Sequence, residues 1–316
     1  MNSLGNAIMS TEDGKAKYDA KMKEVLSNKQ ILARILKRFV PEYEKCTLEE
    51  IENVYIEPES ILVSSLGVGR NSSSIEGIRA EDKTDREGTI YYDIMFHACY
   101  PGKADEKIGL YINVEAQNAY YKGYPIEMRG VYYAARRLTT QLGDIGHGTN
   151  YGSLQKVYSI WICMGDVPNY EANTASLYAF DKCDLIGNVK RERESYDLLS
   201  VVILRINDKV NSKDETLAML QTLCSNQISR EKKLNDLSNM GIRVDRELRE
   251  GVNSMCNLSD LVETRGIERE KKANAVAFLK DGVSYEQVSR VLKVPIDTLK
   301  EWEREANTTP NAPQDT

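Results

Sequence analysis

Positive charge is in short supply in this chain: 42 Lys and Arg stand against 48 Asp and Glu, for a formal net charge of −6. A protein coated in positive potential is excluded, so any contact with nucleic acid has to come from a local patch. Histidine is rarer still, with only His97 and His147, and none of the six cysteines forms a CxxC pair, which argues against a structural zinc site. Cys46, Cys99, Cys163, Cys183, Cys224 and Cys256 are scattered, several in or beside apolar runs, a pattern of reduced thiols rather than disulfides. No apolar run approaches the length that spans a bilayer, and residues 1–10 lack the basic start and long apolar stretch of a signal peptide. The expectation is a cytoplasmic protein with no membrane partner. The glycine-rich stretch Gly67-Val68-Gly69-Arg70-Asn71-Ser72-Ser73 has neither a GK[ST] ending nor a GxGxxG spacing, so a turn is expected there rather than a phosphate cradle.

What is present suits a folded α/β protein. At 316 residues, with 41% hydrophobic and 28% charged residues, the chain has room for one large domain and a helical appendage. Met22, Val25, Leu26, Ile31, Leu32, Ile35, Leu36 and Val40 fall near helical spacing and predict one or two helices over 15–40, ended before Pro41. A short strand is expected near 60–66, then a polar loop through 71–76. Two hairpin strands at about 89–98 and 109–117 follow, joined by turn chemistry from Tyr100 to Glu106. A helix is expected over about 125–142, an apolar strand over 157–164, and further strands at 176–180 and 198–206.

The hairpin carries the chemistry. In Leu110-Tyr111-Ile112-Asn113-Val114-Glu115-Ala116-Gln117 the apolar residues alternate with polar ones, so period-2 geometry puts Glu115 and Gln117 on one face. In the preceding strand Ile90, Tyr92, Ile94 and Phe96 alternate with Tyr91, Asp93, Met95 and His97, so Asp93 is expected to leave the apolar side and face Glu115. One acid on one strand and an acid-x-amide pair on the next outline a metal-dependent nuclease site.

These residues resemble the PD-(D/E)xK nuclease superfamily, and in particular its bacterial branch of Rpn recombination-promoting nucleases, also called PD-(D/E)xK family transposases. Beside Asp93 and Glu115-Ala116-Gln117, the resemblance includes Gly77-Ile78-Arg79-Ala80-Glu81-Asp82, Gly123-Tyr124-Pro125-Ile126 with Arg129 and Tyr133, and Lys156-Val157-Tyr158-Ser159-Ile160-Trp161-Ile162-Cys163. It covers roughly residues 15–210 in matching order. The resemblance implies a restriction-endonuclease-like core, a mixed central sheet flanked by helices, and a DNA endonuclease of low sequence specificity acting in recombination or transposition. Its cofactor would be Mg2+, with Mn2+ able to substitute, held by Asp93, Glu115 and the backbone carbonyl of Ala116. Glu81 matches an additional acid of the family. The superfamily usually carries Lys where this chain has Gln117; an amide cannot act as a base at neutral pH and is left to position water or phosphate, although the resembled branch carries Gln here as well. The alternative is a nuclease-fold module that binds DNA or protein with weak or no catalysis.

A basic cluster and a helical end complete the picture. Arg129, Tyr133 and Arg136 fall three or four residues apart on the helix expected over 125–142 and would line one DNA-binding face. From about residue 211 to 306 the composition turns charged and helix-favouring, ending in three short helices broken near Asp281-Gly282-Val283 and Lys293-Val294-Pro295, a helix-turn-helix-like pattern. The last helix, from Ile296 to Glu305, carries four acids against two bases, so it is expected to pack or to join a homo-oligomer rather than to read bases. Residues 1–14 and 307–316 are expected to be flexible.

Overall fold

The computed structural model describes residues 11–57, 62–63, 81–84, 88–91, 93–101, 103–115, 123–144, 151–164, 167–207 and 210–308. In chain order these give α1 (Thr11–Leu26), α2 (Lys29–Phe39), α3 (Leu48–Glu50), β1 (Leu62–Val63), β2 (Glu81–Thr84), β3 (Gly88–Tyr91), β4 (Ile94–Tyr100) and β5 (Lys103–Glu115). There follow α4 (Ile126–Asp144), β6 (Lys156–Cys163), β7 (Thr174–Ala179), β8 (Leu199–Arg205), α5 (Glu215–Cys224) and α6 (Arg230–Asn239). The chain closes with α7 (Arg246–Lys280), α8 (Tyr285–Leu292) and α9 (Ile296–Thr308). It divides into two compact units, one of Ala16–Cys256 and the other of Met1–Lys15 with Asn257–Thr316. The change of composition near 211 does not coincide with that division, because α5, α6 and the start of α7 belong to the first unit.

Local signals explain where the first helices begin and end. The Asn28 side chain accepts the Gln30 N–H at 3.0 Å and caps α2, whose Ile31, Leu32, Ile35 and Leu36 are completely buried. Pro41 cannot continue the helical ladder and starts a single turn of 3-10 helix instead. A reciprocal capping box between Thr47 and Glu50 opens α3.

A mixed six-stranded sheet forms the middle of the first unit, in the order β1-β4-β5-β6-β8-β7. β4 and β5 pair antiparallel, β5 with β6 and β6 with β8 pair parallel, and β7 returns antiparallel along β8 at the edge. Both faces are covered. On one side Ile94, Phe96, Ile160, Ile162, Val202 and Leu204 pack with Leu26 of α1, Ile31 and Ile35 of α2, and Leu220 of α5. On the other, Met95, Trp161, Cys163, Val201 and Ile203 pack with Ile126 and Ala134 of α4. All of β6 is buried, which is why, Lys156 and Ser159 apart, its sequence is apolar rather than alternating. α4 comes very close to the sheet at Gly130, where a Cβ would lie 2.5 Å from Val201 Cγ1.

Three expectations about this region need correction. The strand expected over 89–98 is interrupted before Asp93: β3 pairs with β2 in a separate two-stranded sheet, and only β4 joins the main one. The turn expected from Tyr100 to Glu106 is shorter, since Tyr100 already pairs with Lys103 and the following residues belong to β5. The face expected to be polar is instead a second core, with Met95 fully buried beneath α4.

A buried ionic cluster fastens the 3-10 turn to the start of β6. Lys156, 6% exposed, donates from Nζ to Glu42 Oε1 at 2.9 Å and to Asp197 Oδ2 at 2.7 Å. The Tyr158 hydroxyl donates to Glu42 Oε2 at 2.7 Å, and its burial beside that carboxylate pushes its pKa well above the usual tyrosine range. Asp197, 2% exposed, also accepts from Arg193 Nε at 3.0 Å and from the Phe180 N–H at 3.3 Å. Every charge here meets an opposite charge or a donor, which burial of ionised groups requires.

The second unit has a small helical core in which Ala275, Val288, Val294 and Leu299 are buried, with Leu279, Tyr285 and Trp302 packed around them. Gly282 at φ +83° and Lys293 at φ +53° turn the chain at the expected breaks. Tyr285 donates its hydroxyl to Glu303, and Lys272 pairs with Glu305. Among the described residues no helix is long and apolar enough to cross a membrane. All six cysteines are free thiols; of the ends expected to be flexible, 1–14 and 307–316, residues 11–14 belong to α1 and 307–308 to α9, and 1–10 and 309–316 lie outside the described residues.

Candidate active site

Asp93 sits at a bend immediately before β4, so its backbone leaves the pleat one residue before the ladder begins at Ile94↔Ile112. Its carboxylate meets Lys23, in the last turn of α1, with Lys23 Nζ 2.8 Å from Asp93 Oδ1. The same ammonium donates to Asp19 Oδ2 at 2.5 Å, one helical turn back on α1. Lys23 is 2% exposed and stands among the core residues Met22, Val25 and Leu26. Burial disfavours its charge, but Asp93 and Asp19 more than offset that and raise its pKa above the ordinary lysine range. Lys23 is therefore a cation at neutral pH. Asp19, Lys23 and Asp93 together carry two carboxylates around one ammonium, and the Asp93 side chain is still 22% exposed.

Glu115 is the last residue of β5, paired in parallel with Cys163 of β6, which is in turn beside Arg205 of β8. Because Ile94 pairs with Ile112, Asp93 stands alongside the last three residues of β5, so the backbones of both acids come to one end of the sheet. The Glu115 side chain lies outside the described residues, as do Ala116 and Gln117 entirely, and the ligand set expected from them is carried forward as a proposal. Glu81, the additional acid of the resemblance, opens β2 and pairs with Tyr91, two residues before Asp93. Among the described residues no group of three or more His, Cys, Asp and Glu converges as a metal site.

The basic stripe expected to hold DNA points inward. Arg136 is only 6% exposed; the Arg129 guanidinium carbon lies 5.0 Å from the centroid of the buried Trp161 ring and 5.7 Å from that of Tyr133. Tyr133 in turn meets Trp161 edge-on, with 5.2 Å between ring centroids. The spacing that puts Arg129, Tyr133 and Arg136 on one face of α4 is real, but that face lies against the sheet, where stacking on aromatic rings replaces contact with phosphate. The solvent face carries Met128, Val131 and Tyr132 instead. His97 pairs with Gly109, four residues along β4 from Asp93 and roughly 13 Å away at the usual strand rise, so it stands apart from the acids.

Compared with known proteins, the chain matches no family model, no curated protein and no solved structure. Its site is therefore described by geometry alone. The residues that geometry adds to the expected set are Asp19 and Lys23. In the sequence they show only as an acid and a lysine four apart on a helix, which does not reveal the distant partner Asp93.

Proposed function

We propose that this protein is a Mg2+-dependent DNA endonuclease of the PD-(D/E)xK type, hydrolysing phosphodiesters with little sequence specificity. One observation carries the proposal: Asp93 stands before β4 and Glu115 ends the adjoining β5, in a mixed sheet where an antiparallel pair is followed by a helix and a parallel strand. The donor chemistry suits the ion, because carboxylate oxygens, that of Asp93 being 22% exposed, are the ligands Mg2+ prefers. Asp93 and Glu115, with the carbonyl of Ala116, would hold it, and Glu81 is an additional acid from β2. Bound there, Mg2+ neutralises charge on the phosphate and lowers the pKa of water.

The protein's own groups then have simple tasks. Gln117 orients water or a phosphate oxygen by hydrogen bonding, since its amide neither takes up nor releases a proton at neutral pH. Water adds through its oxygen to phosphorus as the bond from phosphorus to the leaving sugar oxygen breaks. One water proton ends on that oxygen, and the other remains with the new phosphate hydroxyl until it ionises.

The competing possibility is a nuclease-fold module that binds DNA or protein without efficient catalysis. Two features favour it: Gln117 where the superfamily usually has lysine, and a helix α4 whose solvent face is apolar rather than basic. The helical second unit, with Asp297, Glu301 and Glu305 exposed on α9, fits contact between copies of the chain better than contact with phosphate. The test is cleavage of supercoiled plasmid with Mg2+ or Mn2+. Nicking that disappears in chelator and in Glu115→Ala supports the endonuclease; DNA binding without metal-dependent nicking supports the binding module.

A further inference from the structure

We infer that Lys23, reaching Asp93 from α1, supplies the cation that the acid-x-amide motif lacks at Gln117, and that it acts on the site through Asp93. The inference rests on the endonuclease proposed above and concerns how its site is completed.

Three observations lead to it. First, the ammonium is at the site: Lys23 Nζ is 2.8 Å from Asp93 Oδ1. Second, a buried charge is an expensive way to fill this position. Met22, Val25 and Leu26 around it are 0–3% exposed, and an apolar side chain of similar volume would pack there without the desolvation cost of an ion. Third, the ammonium is held twice, by Asp93 and by Asp19 at 2.5 Å, whose side chain is 18% exposed. Asp19 is on the same helix, so Lys23 keeps a partner and a fixed position when Asp93 gives its oxygens to other duties. A lysine with Asp93 alone would be left in the core without a counter-ion.

The geometry gives each of the three residues a part. Asp19 positions Lys23 through an i, i+4 pair. Lys23 keeps its proton throughout and acts through Asp93, keeping a fixed positive charge beside the site as negative charge builds on the phosphate. Asp93 is shared between that ammonium and the metal. The chain thus has a lysine beside its first acid from the opening helix, rather than two residues after its second acid.

The test moves the charge. In the full-length protein, Lys23→Met keeps the buried stem and removes the cation, and Gln117→Lys on that background returns a cation at the usual motif position. Lys23→Met should remain folded by circular dichroism and lower kcat for plasmid nicking about 100-fold, with KM for DNA little changed. Its Mg2+ affinity, measured by calorimetry without DNA, should rise roughly tenfold because a competing cation has left Asp93. The double variant should regain most of the lost rate. Asp19→Asn, at a partly exposed position, should slow kcat as well and covers the case in which Lys23→Met does not fold. The inference is overturned if folded Lys23→Met nicks within about threefold of wild type, if Gln117→Lys restores nothing, or if Lys23→Met unfolds while Asp19→Asn works at full rate. Wild-type protein that never nicks DNA with any divalent ion sinks the endonuclease proposal, and this inference with it; wild type that nicks beside an equally active Lys23→Met sinks only this inference.

Discussion

Removing Lys156 tests how the sheet unit is held together. The variant Lys156→Met leaves Glu42 and Asp197 without the ammonium that lies 2.9 and 2.7 Å from them. Breaking a buried ion pair from one side costs about 3–5 kcal/mol, because a charge is left behind in a poorly solvated place. Here the lower end applies. Asp197 still accepts from Arg193 Nε and the Phe180 N–H, and Glu42 still accepts from the Tyr158 hydroxyl. A loss of about 3 kcal/mol should lower the melting temperature of a unit this size by roughly 6–12 °C. The measurement is urea unfolding followed by tryptophan fluorescence in a Trp302→Phe background, where Trp161, buried in the sheet, is the remaining reporter. Arg193→Ala is the control: its side chain is 56% exposed, so it should cost less than about 1 kcal/mol. A change below about 1 kcal/mol for Lys156→Met would show that water reaches the cluster and that it does not lock the 3-10 turn to β6.

Other perturbations follow from the same structure. Gly130→Ala places a Cβ 2.5 Å from Val201 Cγ1, and the overpacking should outweigh the gain in helix propensity for a net loss of about 1–2 kcal/mol, read from the same urea curves; unchanged stability would mean α4 stands further off. Asp214 caps α5 by accepting from the Thr216 and Leu217 N–H groups; burial raises its pKa, but Arg38 and those backbone donors more than compensate and hold it below the ordinary aspartate range. Its contribution is therefore complete above the unfolded-state pKa and is lost as pH falls through the depressed folded value, so wild type should lose more stability than Asp214→Asn on acidification below about pH 4. Equal slopes for the two proteins would contradict the assignment. Leu299→Ala should loosen the helical second unit by about 2–5 kcal/mol, and limited proteolysis should open α8 and α9 first.

Much of the fold was legible because its strongest patterns are local. The buried row Ile31, Leu32, Ile35 and Leu36 gives α2, the largely apolar run gives β6, and Gly282 and Pro295 mark breaks between the last helices where the chain does turn. What spacing could not reveal was which way a face points. Arg129, Tyr133 and Arg136 share a side of α4, but only the tertiary structure shows that this side lies on Trp161 and that the apolar Met128, Val131 and Tyr132 meet solvent. Alternation around Asp93 misled for a related reason: Met95, assigned to a polar face, is covered by a helix more than thirty residues later in the sequence. Asp93 itself proved to be tied to the core through Lys23, so Asp93→Ala would strip a buried ammonium of a partner. Lys23 was hidden because its partner comes from a distant part of the chain, and a lysine in an apolar helical stripe signals nothing until that partner is known.

The most direct test of the central claim is therefore made with Asp93→Asn, which keeps a hydrogen-bond acceptor for Lys23 while removing the carboxylate charge. Matched preparations of wild type and Asp93→Asn, shown to be equally folded by circular dichroism, are assayed for nicking of supercoiled plasmid with Mg2+, with Mn2+ and with chelator. The account predicts metal-dependent nicking by wild type, none in chelator, and a rate at least about 100-fold lower for Asp93→Asn under every condition. Nicking by Asp93→Asn at the wild-type rate, or nicking by wild type that persists in chelator, would contradict it.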